Sequence, residues 1–355
     1  MPSPKFNTFE PNLTMEEPLN PLHASLQTIS TLLTSSYWTE CVPWLSCSRD
    51  TFGEQEVPIA MKISPLSIKD ESLRLSRANA LLTRGFLTLD VSELPSVPEG
   101  IVERLHRGVL RLLQLGHTAS SISSYDEAWT LAASISPTIS SISSGRLKHN
   151  GDYFSFAKSS SRLGGFNGPH RDKPNSGRES FSTVDGSADY VTCWIALSEA
   201  TPANSCLYFY PRDSPDKGYL EKGDSMSPLE LKDFDAVVAQ PCSAGSAVIF
   251  THRVIHWGSR PREFEETRVA MSFAMASPSF ESGPFFSEQY LPFPPLPLRV
   301  ALRAGQSVAY AFQNPLTKAE LALDSRLFSS NKKYFSDSYS ERISGDAQWQ
   351  KYMRK

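Results

Sequence analysis

Ala247-Val248-Ile249-Phe250-Thr251 and Arg268-Val269-Ala270-Met271-Ser272-Phe273-Ala274-Met275-Ala276 are two apolar runs of strand length, with Gly258 and Pro261 between them. Aromatic and β-branched runs punctuated by Gly and Pro mark strands joined by turns. Working outward, Tyr153–Lys158, Tyr190–Leu197, Cys206–Tyr210 and Ala236–Gln240 share this character. Upstream the pattern is helical. Leu73, Leu75, Leu81 and Leu82 recur at helical spacing within Ile68–Thr83, and Ile101, Leu105, Val109 and Leu112 share one face of a helix over Pro98–Leu115. A strand, Phe86–Val91, lies between the two. Short strands after a helical lead-in predict an α+β protein with a mainly β core, a double-stranded β-helix (jelly roll, cupin-like) with flanking helices.

This division assigns residues 1–65 to an N-terminal extension packed on the body, because Trp38, Val42, Trp44 and Leu45 are too apolar for a free tail. Residues 66–285 form the main domain, with a helical lead-in at 66–150 and the jelly roll at 151–280, and residues 286–355 form a helical extension that packs on the core or covers it. Ser-rich stretches at 119–124 and 139–144 predict loops around a short helix at Asp126–Ala133, and helices are expected at Arg299–Gln313 and Thr317–Phe328. The net charge of −3 offers no basic field to nucleic acid. Five cysteines without CxxC spacing read as reduced, small hydrophobes. With no apolar leader and no run of apolar residues long enough to span a bilayer, the expectation is a soluble cytoplasmic protein.

Within this frame, His170-Arg171-Asp172 places an imidazole and a carboxylate two residues apart, hence on one side of an extended segment. A second imidazole comes from Thr251-His252-Arg253-Val254-Ile255-His256-Trp257-Gly258-Ser259, which holds two candidates. His256 is preferred because it falls just before the Gly258 turn and nearer to Arg268; His252 stays open as the alternative. Two imidazoles and one carboxylate, with no thiolate, favour iron(II) over zinc and leave three octahedral positions for a bidentate oxo-acid and O2. Arg268 opens an apolar strand, where a buried guanidinium needs an anion and its planar fork matches a carboxylate. The other reading of Arg268 is a surface residue paired with Glu265 or Glu266.

Gly168-Pro169-His170-Arg171-Asp172, the run from Trp194 through Asn204 to Leu207, Pro211, Ala244–Phe250, His256-Trp257-Gly258-Ser259 and Arg268 together resemble the phytanoyl-CoA dioxygenase-like branch of the Fe(II)/2-oxoglutarate-dependent oxygenases. The resemblance covers about residues 80–280. It implies metal ligation by His170, Asp172 and His256, a salt bridge from Arg268 to the distal carboxylate of 2-oxoglutarate, and a pocket role for Trp194. Ser259 matches a hydroxyl that usually follows the distal histidine by two residues; Gly258 stands at that place here, so a one-residue shift is implied. Asn204-Ser205-Cys206 and Pro211-Arg212-Asp213-Ser214 depart from the family pattern and are expected on the substrate side.

The expected activity is that of a dioxygenase with Fe(II), 2-oxoglutarate and O2, hydroxylating or otherwise oxidising a C–H bond of a small organic substrate, with release of succinate and CO2. A lipid-like molecule or specialised metabolite is the expected substrate class. The alternatives are a non-catalytic jelly-roll binding module and a metal-dependent hydrolase on the same barrel. An acyl-CoA substrate calls for a basic mouth, and Arg171, Lys173, Arg178, Arg212 and Lys217 are interleaved there with acidic residues.

Overall fold

The computed structural model describes residues 28–48, 70–143, 146–160, 168–172, 180–214, 234–263, 265–291, 293–311 and 316–345. In chain order its strands are β1 (Phe86–Leu89), β2 (Lys148–Lys158), β3 (Tyr190–Ala196), β4 (Leu207–Tyr210), β5 (Val238–Gln240), β6 (Ala247–Phe250), β7 (Ile255–Gly258) and β8 (Arg268–Ala276). They form two antiparallel sheets, ordered β1-β6-β3-β8-β2 and β5-β4-β7. Apolar side chains of both sheets, among them Trp194, Val248 and Phe250 from one and Leu207 and Phe209 from the other, meet in a cluster between them. This is the double-stranded β-helix, with helices flanking it.

The helices are α1 (Ile29–Leu32), α2 (Ser35–Cys41), α3 (Glu71–Arg84), α4 (Ile101–Gln114), α5 (Asp126–Ile142), α6 (Leu296–Ala309), α7 (Lys318–Asn331) and α8 (Asp337–Gly345). β8 shows how the layers meet. Its odd positions Val269, Met271, Phe273 and Met275 enter the large cluster shared with the helices, while its even positions Ala270, Ser272, Ala274 and Ala276 turn to the other face. Within the described part of the N-terminal extension, Trp38, Val42 and Leu45 are buried in the same large cluster. Residues 1–27 and 49–69, including the start of the predicted Ile68–Thr83 helix, lie outside the described residues.

One helix departs from the sequence expectation. α5 runs on past Ala133 into the 139–144 stretch read as a loop and ends at Ile142, because Ile135, Ile139 and Ile142 are buried and serines along it bond back to the preceding turn: Ser134 donates to Leu131 O at 2.8 Å, Ser136 to Ala132 O at 2.7 Å and Ser141 to Thr138 O at 2.7 Å. The 119–124 stretch likewise forms a short 3-10 helix rather than an open loop. In the C-terminal extension α6 is buried along its whole length, and its Arg299, fully buried, pairs with Asp126 at 2.6 Å. That helix is part of the core, so packing, not covering, is its role. The polar end of the chain adds α8, whose Arg342 reaches Asn150 O and Asp152, at 3.2 and 3.3 Å, and also pairs with Glu281.

Candidate metal centre and anion pocket

Backbone pairing builds the centre. The His170 segment extends the smaller sheet: His170 N donates to His256 O and His256 N to His170 O, both at 3.0 Å, so the two residues are direct antiparallel partners with side chains on one face. Asp172 N then donates to His252 O at 3.2 Å, which keeps Asp172 on the same face as His170. His256 Nε2 lies 3.4 Å and His170 Nε2 3.9 Å from Asp172 Oδ1, and the three ligand atoms all fall within 4.8 Å of one another.

The ring nitrogens are set for ligation. His170 Nδ1 is 2.9 Å from Gly168 O and His256 Nδ1 is 3.2 Å from Val254 O. A carbonyl only accepts, so each Nδ1 carries a hydrogen and each Nε2 is the nitrogen left facing Asp172 for ligation. Burial and the neighbouring His256 push His170 down to about 3, so it is neutral at physiological pH. Burial opposes ionisation of Asp172, but the two histidines and Thr192 outweigh it and hold the carboxyl below its usual range. Thr192 Oγ1 donates to Asp172 Oδ2 at 2.5 Å and fixes that carboxylate from β3. His252 takes no part: it is fully buried, its Nδ1 is 3.2 Å from Ser180 Oγ, and its ring packs edge-on against Tyr190 and Phe280.

Two residues beyond His256 on the same face of β7, the absence of a side chain at Gly258 makes room for an anion pocket. A Cβ there would stand 2.8 Å from Lys158 Nζ, 3.1 Å from Ser205 Oγ and 3.6 Å from Arg268 Nη2. Lys158 and Arg268 are cross-strand partners at the ends of β2 and β8, and both are 2% exposed. Two like charges brought together out of water are costly. Burial and the Arg268 charge bring Lys158 down to about 7, and burial lowers Arg268 to about 10. Arg268 Nε and Nη1 have no hydrogen-bond partner among the described residues, and the guanidinium lies 5.2 Å from the centroid of the buried Trp194 ring. A buried, incompletely satisfied guanidinium beside a second cation fits a carboxylate ligand.

The sequence reading missed Lys158, Thr192 and Ser205. Ser205 is fully buried, its Oγ has no partner, and it is the one non-glycine residue with positive φ, 81°, among the described residues. The Asn204 side chain holds this turn, accepting from Thr201 N at 2.7 Å and donating to Glu199 O at 2.9 Å. The Asn204-Ser205 departure therefore borders Arg268 rather than a separate substrate face. Ser259 follows Gly258, and its buried hydroxyl has no hydrogen-bond partner among the described residues; on the strand before it Trp257 stacks on Tyr208 at 5.9 Å. The hydroxyl facing Gly258 is that of Ser205. Of the expected basic mouth, Arg212 is tied to Leu82 O at 3.0 Å and lies over Phe181, while Lys173, Arg178 and Lys217 are outside the described residues.

Residues 132–262 match the family model for phytanoyl-CoA dioxygenase (PhyH). That segment of the chain is phytanoyl-CoA dioxygenase-like. It carries His170, Asp172, Trp194, Ser205 and His256, while Lys158 also falls inside it and Arg268 lies just beyond. No curated protein matches the sequence. Among solved structures, AviO1 from Streptomyces viridochromogenes Tue57 is 19% identical, with 58% of this chain and 96% of that chain covered and a TM-score of 0.42. HygX from Streptomyces hygroscopicus, solved with nickel and 2-oxoglutarate bound, is 16% identical over 57% of this chain and 86% of that chain, TM-score 0.41. The non-heme alpha ketoglutarate dependent epimerase SnoN from nogalamycin biosynthesis is 18% identical over 59% and 84%, TM-score 0.39. Overlaps of this extent establish no shared reaction.

Proposed function

We propose that the chain is an Fe(II)- and 2-oxoglutarate-dependent dioxygenase that hydroxylates a small organic substrate: R–H, 2-oxoglutarate and O2 give R–OH, succinate and CO2. The observation that carries this reading is the pairing of two half-sites on one face of β7. His256, with His170 and Asp172, offers two imidazole nitrogens and an ionised carboxylate on one side of a metal; Gly258, one step along, opens onto two buried basic side chains, of which Arg268 keeps unsatisfied N–H groups. Along a strand that step is about 6.6 Å, which suits a short dicarboxylate reaching from metal to guanidinium.

Iron bound by His170, Asp172 and His256 would supply, with 2-oxoglutarate and O2, the oxidising power that breaks the C–H bond. The chain's own residues do the positioning. Thr192 and the two backbone carbonyls fix the ligand atoms; Arg268 and Lys158 hold the distal carboxylate, and Trp194 backs the guanidinium and excludes water. A hydrolase using the same three ligands has no use for a buried Lys–Arg pair. The five cysteines are free, four of them buried, which supports work in a reducing compartment, the cytoplasm. Among the described residues no helix is long and apolar enough to cross a membrane.

The test is formation of succinate from 2-oxoglutarate by the purified full-length protein. Dependence on both iron and O2 is the expected result, and zinc-driven hydrolysis without O2 would overturn the reading.

A further inference from the structure

The inner face of the barrel is asymmetric along its length. On β2 the residues that share a face with Lys158 are Phe156 and Phe154, at successive two-residue steps, so Phe154 is about 13 Å of strand from the cationic end. Opposite them on β8 stand Ala270, facing Phe156, and Ser272, facing Phe154; Ala274 follows. β8 thus presents small side chains inwards, while its large ones, Val269, Met271 and Phe273, pack on the helices. All of β8 is buried, whereas Phe154 and Phe156, on the edge strand β2, remain partly exposed, so two large apolar rings are left incompletely covered on this face.

The rings are arranged as a slot. Phe154 and Phe156 have centroids 6.1 Å apart and planes within 19°, and Tyr310, at the end of α6, meets Phe154 edge-on at 5.0 Å and 88°. The slot lies next to the metal ligands: Asp172 is held by Thr192, which shares a rung with Ala274, the rung after that of Ser272 and Phe154. The phenol of Tyr310 also feels the Asp172 carboxylate. Charge at this end is negative or already matched. Asp152, two residues before Phe154, is paired with Arg342, and Arg342 also pairs with Glu281. Among the described residues, the inward cations Lys158 and Arg268 lie at the opposite end.

We propose that the Phe154–Phe156–Tyr310 slot is the substrate subsite and that it takes a neutral, planar ring system rather than an acyl-CoA thioester or a free acid. This deepens the oxygenase reading and rests on it for the reaction, but not for the binding. Flat rings gain from stacked and edge-on aromatic contacts, the Ala–Ser–Ala floor is built of small side chains, and an anionic head would meet Arg342 only after its charge has been matched by Asp152 and Glu281.

The experiment titrates the full-length, metal-free protein with 2-naphthol, followed by its fluorescence, and repeats the titration with Phe154→Ala and Ser272→Leu. Wild type binds the probe saturably; both variants weaken binding about tenfold or more, and octanoyl-CoA does not displace it. Ser272→Leu keeps the wild-type circular dichroism spectrum and the visible band that wild type forms with iron and 2-oxoglutarate. No saturable 2-naphthol binding, wild-type binding by both variants, or displacement by octanoyl-CoA would each overturn the proposal. Absence of the iron–2-oxoglutarate band in wild type would instead defeat the oxygenase reading and leave the binding result standing.

Discussion

Arg268→Met separates a structural arginine from a ligand-binding one, because the two roles predict opposite signs. The guanidinium is 2% exposed, two of its nitrogens lack partners, and its neighbour is another cation, so without an anion the charge is a liability to the fold. Replacing it with a methionine of similar reach is expected to leave the melting temperature of the ligand-free protein unchanged or raise it. Binding of 2-oxoglutarate should suffer. Truncating one partner of a buried charge pair costs about 2–5 kcal/mol, and about 3 kcal/mol corresponds to roughly a hundredfold loss of affinity. At 2-oxoglutarate near 100 times the wild-type dissociation constant, ligand stabilises the wild type by about 2.7 kcal/mol, or about 3–4 °C for a chain of this length. The variant should shift by about half a degree under the same conditions. Thermal melts with and without 2-oxoglutarate, and calorimetric titration in the presence of iron, measure both quantities. A variant that melts several degrees lower without ligand yet binds 2-oxoglutarate like wild type would refute the reasoning.

Lys158 gives a pH signature: its pKa of about 7 in the fold is below the value near 10.4 of an unfolded chain, so the unfolded state binds the extra proton between these limits, and ligand-free stability should rise with pH from about 7 towards 10. Chemical denaturation across that range, with Lys158→Met losing the slope, checks it; a wild type whose stability is flat there speaks against the buried cation pair. Ser205→Gly should relieve a positive φ worth about 1 kcal/mol and raise the melting temperature, while weakening 2-oxoglutarate binding severalfold; stabilisation with unchanged affinity would mean that the hydroxyl has no part in the pocket. His256→Ala should abolish iron binding, measured by metal content after anaerobic loading, whereas His252→Ala retains it at some cost in stability, and the reverse outcome would exchange their roles.

What the sequence made legible follows from how local each signal is. His170 and Asp172 could be read because a two-residue step on an extended segment decides which side chains share a face. His256 and Arg268 could be read because a histidine and an arginine inside apolar runs need a reason to be there. The choice between His252 and His256 was not local: both sit in one short segment, and only the backbone ladder of His170 with His256 turns one towards Asp172 and leaves the other against Tyr190 and Phe280. Lys158 was hidden because a lysine at a strand end usually reaches water, and its burial depends on Arg268 pairing across from it. Ser205 was visible only as a departure from a family pattern; its φ and the proximity of Gly258 are three-dimensional facts. α5 was misread because serine is a poor helix former in isolation, and the isoleucines beside those serines override that preference through burial. The small–large alternation of β8 was present in the sequence, and the apolar character of both sets masked it.

Anaerobic titration of the full-length protein with Fe(II) in the presence of 2-oxoglutarate, followed by visible absorption, tests the central claim most directly. The expected result is a weak charge-transfer band that saturates at a single iron per chain, is absent in His256→Ala, and is lost in Arg268→Met at 2-oxoglutarate concentrations that saturate wild type. Iron binding without any band, or a band that survives unchanged in Arg268→Met, would contradict a site built to hold iron and 2-oxoglutarate together.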